Sequence, residues 1–145
     1  IEKELSQMTF IDYSKKTGKD LILCATNLST MTPVYFSVNT TPNVLVSEAL
    51  KASMALPFII KPIQIGDEFY IDGGITDNVP VKAFENISFD NILVLHITKH
   101  KSSDTTVIES LNPLSYFTII FNTIITNNLA IQLLRKNYKL LFRYV

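Results

Sequence analysis

The chain has one cysteine in 145 residues, Cys24, so no internal disulfide can brace it. Charge of one sign is not in excess either: 13 Lys and Arg balance 13 Asp and Glu, and net charge selects neither a nucleic acid nor an anionic membrane as partner. Asn122, Asn127, Asn128 and Gln132 interrupt the aliphatic final third, so no stretch reaches the ~20 apolar residues that cross a bilayer. A transmembrane helix is not expected. The start lacks Met and lacks a basic-then-apolar leader, with Glu2, Lys3 and Glu4 ahead of any hydrophobic run, so Ile1 reads as an internal residue of a longer protein. Sequons at Asn27, Asn39 and Asn86 read as chance matches in an Asn-rich sequence. The four glycines, Gly18, Gly66, Gly73 and Gly74, flank no serine as Gly-x-Ser-x-Gly, which excludes a nucleophile elbow within these residues. The two histidines offer little for a triad: His96 falls inside an apolar run and His100 sits between Lys99 and Lys101. No oligomeric state is specified.

What is present is enough for a core. The hydrophobic content is 47%, and the length suits one globular unit. Residues 1 to about 13 are mixed, and the polar cluster from Lys15 to Asp20 reads as a turn. Leu21 to Ala25 predicts a strand covered on both faces, with Cys24 as a small buried hydrophobe. Pro33 to Val38 predicts a second, neighbouring or antiparallel strand. Val46, Ala49, Leu50, Ser53 and Met54 recur at helical spacing, so a helix is expected over 44–56, closed by Pro57. Gly66-Asp67 is a tight-turn signal between β-rich segments, which predicts a hairpin whose second strand ends at Asp72. Asn91 to Thr98 is continuously apolar and suits the interior of a mostly parallel sheet. From Leu111 onward Phe117, Ile120, Phe121, Ile124 and Ile131 fall at helical spacing. A core-packing helix or helix pair is expected there; an interfacial segment is the alternative, since Arg135, Lys136, Lys139 and Arg143 alternate with apolar residues. Met8, Met31 and Met54 read as packing residues.

The stretch with chemical content is Tyr70-Ile71-Asp72-Gly73-Gly74-Ile75-Thr76-Asp77-Asn78-Val79-Pro80. Two glycines after a strand allow positive φ and a sharp reversal, leaving the Asp72 carboxylate at the strand tip, where open α/β sheets place their sites. Asp-Gly-Gly is also an ordinary turn in which the aspartate caps its own loop. The spacing of Asp72, Asp77 and Asn78 fails the calcium-loop pattern, and no metal is expected.

Upstream stands Ala49-x-x-Ala52-Ser53-x-Ala55-x-Pro57-x-x-x-x-Pro62, and downstream Asp72-Gly73-Gly74 is followed by Asn78-x-Pro80. Together, in that order, these resemble the patatin-like phospholipase family, and the paired strands around Leu23 to Ser29 and Pro33 to Ser37 are similar too. The resemblance runs from about residue 20 to residue 98. It implies an α/β fold, namely the C-terminal portion of a three-layer α/β/α domain with a mostly parallel central sheet. That domain would occupy 1–110, followed by a helical segment over 111–145. It also implies a lipid acyl-ester hydrolase of lipid catabolism with a Ser-Asp dyad. Asp72 would be the general base, Gly73 and Gly74 would complete the motif, and Asn78 and Pro80 would support the loop. Such a dyad needs no cofactor. The substrate would be an acyl lipid at a membrane surface, in a cytoplasmic or peripheral-membrane setting.

The serine and the glycine-rich oxyanion loop of that family are not in these residues, and Ser53, among small residues on a helix, reads as close packing rather than a replacement. The 145 residues alone are therefore expected to be inactive. Two other readings stay open: a catalytically inactive lipid-binding or scaffolding domain that keeps the aspartate, and an unrelated α/β domain in which Asp-Gly-Gly is only a turn.

Overall fold

The computed structural model describes residues 6–88, 91–98, 112, 113, 115–117, 119–121, 123 and 140–144. Contacts divide the chain into two units, Ile1–Ala83 and Phe84–Val145. The expected boundary at 110 lies outside the described residues.

The first unit begins with a helix that the mixed composition of residues 1–13 conceals. Helix α1 (Phe10–Thr17) starts at Thr9, whose hydroxyl accepts the Asp12 N–H at 3.3 Å while the Asp12 carboxylate accepts the Thr9 N–H at 3.2 Å. This reciprocal capping box satisfies two donors that a helix start leaves unpaired. Gly18 ends α1 at φ 65°, a left-handed conformation suited to glycine, and its N–H reaches the Ser14 carbonyl at 2.8 Å. Phe10 and Phe36 are the largest fully buried side chains among the described residues.

Strand β1 (Leu23–Asn27) is buried from Cys24 onward on both faces, as the short apolar run predicts, though it extends through Thr26 and Asn27. Asn27 then closes the strand. Its side-chain oxygen accepts from the backbone N–H of Ser29 at 2.8 Å and of Thr30 at 3.0 Å, shaping the turn into β2 (Thr32–Phe36). Helix α2 (Val46–Ser53) is shorter than the periodicity suggests and buries Val46, Ala49 and Ala52. Small side chains let it lie close against the sheet, where it packs on β1, β3 (Ile63–Ile65) and β4 (Glu68–Asp72). Gly66, at φ 63°, makes the turn between β3 and β4.

The four strands lie in the order β2-β1-β4-β3, and every ladder is antiparallel. Short connections compel this in two of the three ladders: a two-residue turn between β3 and β4 and a four-residue one between β1 and β2 cannot carry a parallel crossover. The core joins Phe10, Ala25, Phe36, Val46, Ala49, Ala52 and Tyr70, with the rings of Phe36 and Tyr70 edge to face at 5.1 Å.

In the second unit, β5 (Val94–Thr98) pairs in parallel with β6 (Leu140–Tyr144), Val94 opposite Leu140. The expected continuous burial of this strand segment is not seen: Val94 is buried but Leu93 and Leu95 are exposed, the alternation of a strand covered on one face. The His96 side chain, His100, Ile124, Ile131 and residues 135–139 lie outside what is described. Helical residues follow Asn112, whose side-chain oxygen accepts the Ser115 N–H at 2.8 Å, with Pro113 behind it. Among the described residues no helix is long and apolar enough to cross a membrane.

The methionine expectation also needs correction, because Met31 and Met54 are exposed rather than packed. Met31 takes φ 56° in the turn between β1 and β2, a left-handed conformation with a backbone cost for a residue with a Cβ.

Candidate functional site

Asp72 is the last residue of β4, where the sequence places it, and it stands opposite Ala25 of β1. Its main chain is held on both sides. The N–H donates to the Ala55 carbonyl at 3.0 Å, and the C=O accepts the Thr26 hydroxyl at 2.8 Å. The Thr26 and Thr76 hydroxyl oxygens are in turn 2.9 Å apart, linking strand β1 to the loop that leaves the site.

The carboxylate is half-buried and its two oxygens differ. Oδ1 accepts the Gly74 N–H at 2.7 Å, so Asp72 caps the short 3-10 turn Gly73–Ile75. Among the described residues no hydrogen bond engages Oδ2. Burial pushes the carboxyl above its ordinary value, and the Gly74 N–H, which favours the charged form, pulls against that.

The glycines do not act as the sequence reading supposes. Neither Gly73 nor Gly74 has positive φ; the left-handed glycines are Gly18 and Gly66. Space is the constraint instead. A Cβ on Gly73 would stand 2.3 Å from the Cys24 carbonyl oxygen and 3.0 Å from Cys24 Sγ, so the turn lies directly on strand β1. A Cβ on Gly74 would stand 2.9 Å from Asp72 Oδ1 and 3.1 Å from Asn78 Oδ1. Gly73 therefore lets the turn lie on β1, and Gly74 leaves room for the aspartate to fold over its own turn.

Asn78 comes close to this turn through its contact space with Gly74, while Pro80 lies further on, its carbonyl accepting the Ala83 N–H at 3.2 Å in the 3-10 turn Val81–Phe84. Two residues that sequence reasoning treats as incidental sit beside the motif. Cys24 is buried, as expected, and burial followed by the nearby Asp77 and Asp72 charges pushes its thiol up to about 12. Asp77 is only 4% exposed; its carboxylate Oδ2 accepts the Tyr35 hydroxyl, and its N–H donates to the Gly73 carbonyl at 2.9 Å. Among the described residues no group of three or more His, Cys, Asp or Glu side chains is arranged to hold a metal ion.

The loop after α2 carries the Ala55 carbonyl that anchors Asp72, and it displays Met54, Leu56, Phe58, Ile59 and Ile60 to solvent. Phe58 does so at φ 67°.

The strand-end aspartate, its Gly-Gly turn and the small-residue helix all fall within the residues matched by comparison with known proteins. The family model for patatin-like phospholipase matches residues 1–85, more than half of the chain, and the chain belongs to that family. It is 40% identical over 80 residues, 54% of this chain and 28% of the relative, to a probable lipid hydrolase of Invertebrate iridescent virus 6. It is 30% identical over 99 residues, 68% of this chain and 33% of the relative, to an uncharacterized protein of Acanthamoeba polyphaga mimivirus. The chain thus spans a third or less of the length of these relatives.

Proposed function

We propose that this chain supplies the aspartate half of a serine-type lipid acyl hydrolase, with Asp72 as general base and the nucleophilic serine contributed from outside these 145 residues. The observation that carries the reading is the asymmetry of the Asp72 carboxylate: Oδ1 is held by the Gly74 N–H and Oδ2 has no partner among the described residues. One oxygen is oriented by the backbone and the other is left to accept a serine proton. Partial burial raises the basicity of a group whose ordinary pKa of ~3.9 makes it a weak base at neutral pH.

In the reaction, Oδ2 accepts the serine hydroxyl proton as the serine oxygen attacks the ester carbonyl. The proton passes to the departing alcohol, and water, deprotonated by the same carboxylate, then releases the acyl group and restores the serine. No histidine and no cofactor take part. Family membership and the name of the viral relative support a lipid substrate. So do the exposed apolar side chains on the loop whose Ala55 carbonyl fixes Asp72, which suit contact with acyl chains at a membrane surface. The three-layer domain with a mostly parallel central sheet belongs to the same reading, the antiparallel sheet described here being one part of it.

The test is hydrolysis of a lipid ester by the full-length protein carrying Asp72→Asn. The amide keeps an acceptor for Gly74 and loses the base, so a fall of about 1,000-fold or more in kcat is expected, in the range that loss of an essential catalytic member produces. A rate within tenfold of the parent refutes the dyad. A full-length protein that binds lipid vesicles but shows no hydrolysis even with Asp72 intact favours the inactive lipid-binding reading.

A further inference from the structure

We propose that Tyr35 and Asp77 form a buried clamp that positions Asp72, so that both act in the reaction through the aspartate rather than on the substrate. The inference rests on the reading of Asp72 as the base.

Asp77 is the feature that asks for an explanation. A carboxylate that is 4% exposed is costly to bury, and the cost is met only where polar partners hold the group in place. Its location suggests what the cost secures. Asp77 lies at the far end of the turn that begins at Asp72, and its N–H donates to the Gly73 carbonyl at 2.9 Å, as does the Thr76 N–H at 3.2 Å. Its carboxylate is bound by the Tyr35 hydroxyl. Tyr35 belongs to β2, which is separated from β4 by β1 in the sheet order, so this hydrogen bond reaches across a whole strand to seize the turn.

The strand that is crossed is the one the turn rests on. Cys24, the register partner of Tyr35 on β1, presents the carbonyl that approaches Gly73 so closely. Two residues along the same strand, Thr26 holds the Asp72 carbonyl at 2.8 Å and meets the Thr76 hydroxyl at 2.9 Å. The connections close a ring from Asp72 through Gly73 and Asp77 to Tyr35, across to β1, and back through Thr26 to Asp72. Within it the turn is pressed on β1 at both ends. The Gly74 N–H, which orients Asp72 Oδ1, belongs to the part of the turn held between those two points.

A ring of this kind fixes direction more than it adds stability. A general base must lie within hydrogen-bond reach of the proton it takes, and a misplacement of about 1 Å can cost a hundredfold in rate. Tyr35 and Asp77 are positioning residues: neither is assigned contact with substrate.

The experiment uses the full-length protein and a p-nitrophenyl acyl ester, at a temperature where circular dichroism shows every variant fully folded. Tyr35→Phe removes the clamp hydroxyl and keeps the ring, and kcat is expected to fall about 10- to 100-fold with KM within about twofold. Asp77→Asn keeps an acceptor for the Tyr35 hydroxyl but weakens the bond by removing its charge, so kcat is expected to fall by less than in Tyr35→Phe, and an unchanged kcat in both variants overturns the clamp. In an Asp72→Asn background, Tyr35→Phe is expected to cause no further loss of the residual rate, since a group acting through Asp72 has nothing left to act on. An unchanged kcat in Tyr35→Phe, or an equal loss with and without Asp72, overturns the clamp while leaving the dyad standing. If Asp72→Asn itself keeps the parent rate, the dyad falls and the clamp falls with it.

Discussion

The carbonyl oxygen of Cys24 occupies the space that a side chain on Gly73 would need: a Cβ there would come within 2.3 Å of it. The neighbour is backbone of a buried strand and cannot swing aside. Gly73→Ala is therefore expected to destabilise the fold by about 1–3 kcal/mol, the usual cost of forcing extra volume into a packed region. Gly66→Ala is the matched control. Gly66 has open space around it and a φ of 63°, so the penalty there is one of handedness, about 1 kcal/mol. Chemical denaturation of the two variants should rank Gly73→Ala as the more damaging; the opposite order would mean that β1 yields to the added methyl.

A second expectation concerns pH. Burial raises the Asp72 carboxyl above its ordinary value, so the native chain holds that proton more tightly than the unfolded chain does. Stability linked to this group is accordingly greatest in acid and declines as pH rises from the ordinary Asp range through the raised native value. Asp72→Asn removes a carboxylate that is penalised when charged. Its melting temperature should exceed the parent's at neutral pH, and the gap should close as the pH is lowered below about 4. On the activity side, the acid limb of kcat/KM for the full-length protein should titrate above the ordinary Asp value. A limb at or below about 3.9 would show that desolvation does not dominate at this carboxylate.

Cys24 offers a probe of the same region. With its thiol pushed up to about 12, and buried under the turn, it should resist iodoacetamide at pH 8 in the folded protein and react once the protein is unfolded. Labelling measured by mass spectrometry over time therefore reports opening of the β1 and Gly73 contact. Prompt alkylation under native conditions would show that the turn lifts off the strand readily.

Thr26 ties two parts of the site together through one hydroxyl. Replacing it by valine keeps the shape and strands the Thr76 hydroxyl, so a loss of about 1–3 kcal/mol is expected from urea denaturation. Loss below about 0.5 kcal/mol would place this hydroxyl pair outside the elements that hold the turn.

Among the described residues the non-glycine residues with positive φ are Met31 and Phe58, and Met31 is 79% exposed, so its side chain has little packing to lose. Met31→Gly is expected to leave stability unchanged or raise it by up to about 1 kcal/mol, relief of the left-handed conformation offsetting the added freedom of the unfolded chain. A marked loss would show that Met31 packs in the full-length protein. The same logic separates a strained display residue from a core residue at Phe58.

The legible part of this molecule was the part written in local pattern. The hairpin at Gly66-Asp67, the buried run ending in Cys24 and Ala25, and the strand end at Asp72 all follow from short-range rules, and each is where those rules put it. Helix α1 escaped because its eight residues carry too few apolar positions to show a period, although Thr9, Asp12 and Gly18 marked its two ends. The role of Gly73 was misread for a different reason. Sequence shows that a glycine is wanted but cannot tell a demand for positive φ from a demand for empty space, and only the position of the Cys24 carbonyl decides between them. Asp77 and Tyr35 lie 42 residues apart, on elements whose adjacency depends on the strand order, so no local pattern could join them.

Position 72 is fastened through its main chain by the Ala55 carbonyl and the Thr26 hydroxyl, and its side chain adds one tie, the acceptor for the Gly74 N–H. An amide offers the same acceptor, so the scaffold accepts asparagine there as well as aspartate. A lineage could trade the carboxylate for an amide in a single step and keep the same loop, the same turn and the same apolar rim. If Asp72 is the base proposed above, catalysis here is a removable fitting on a fixed mount, and a variant without it is one codon away.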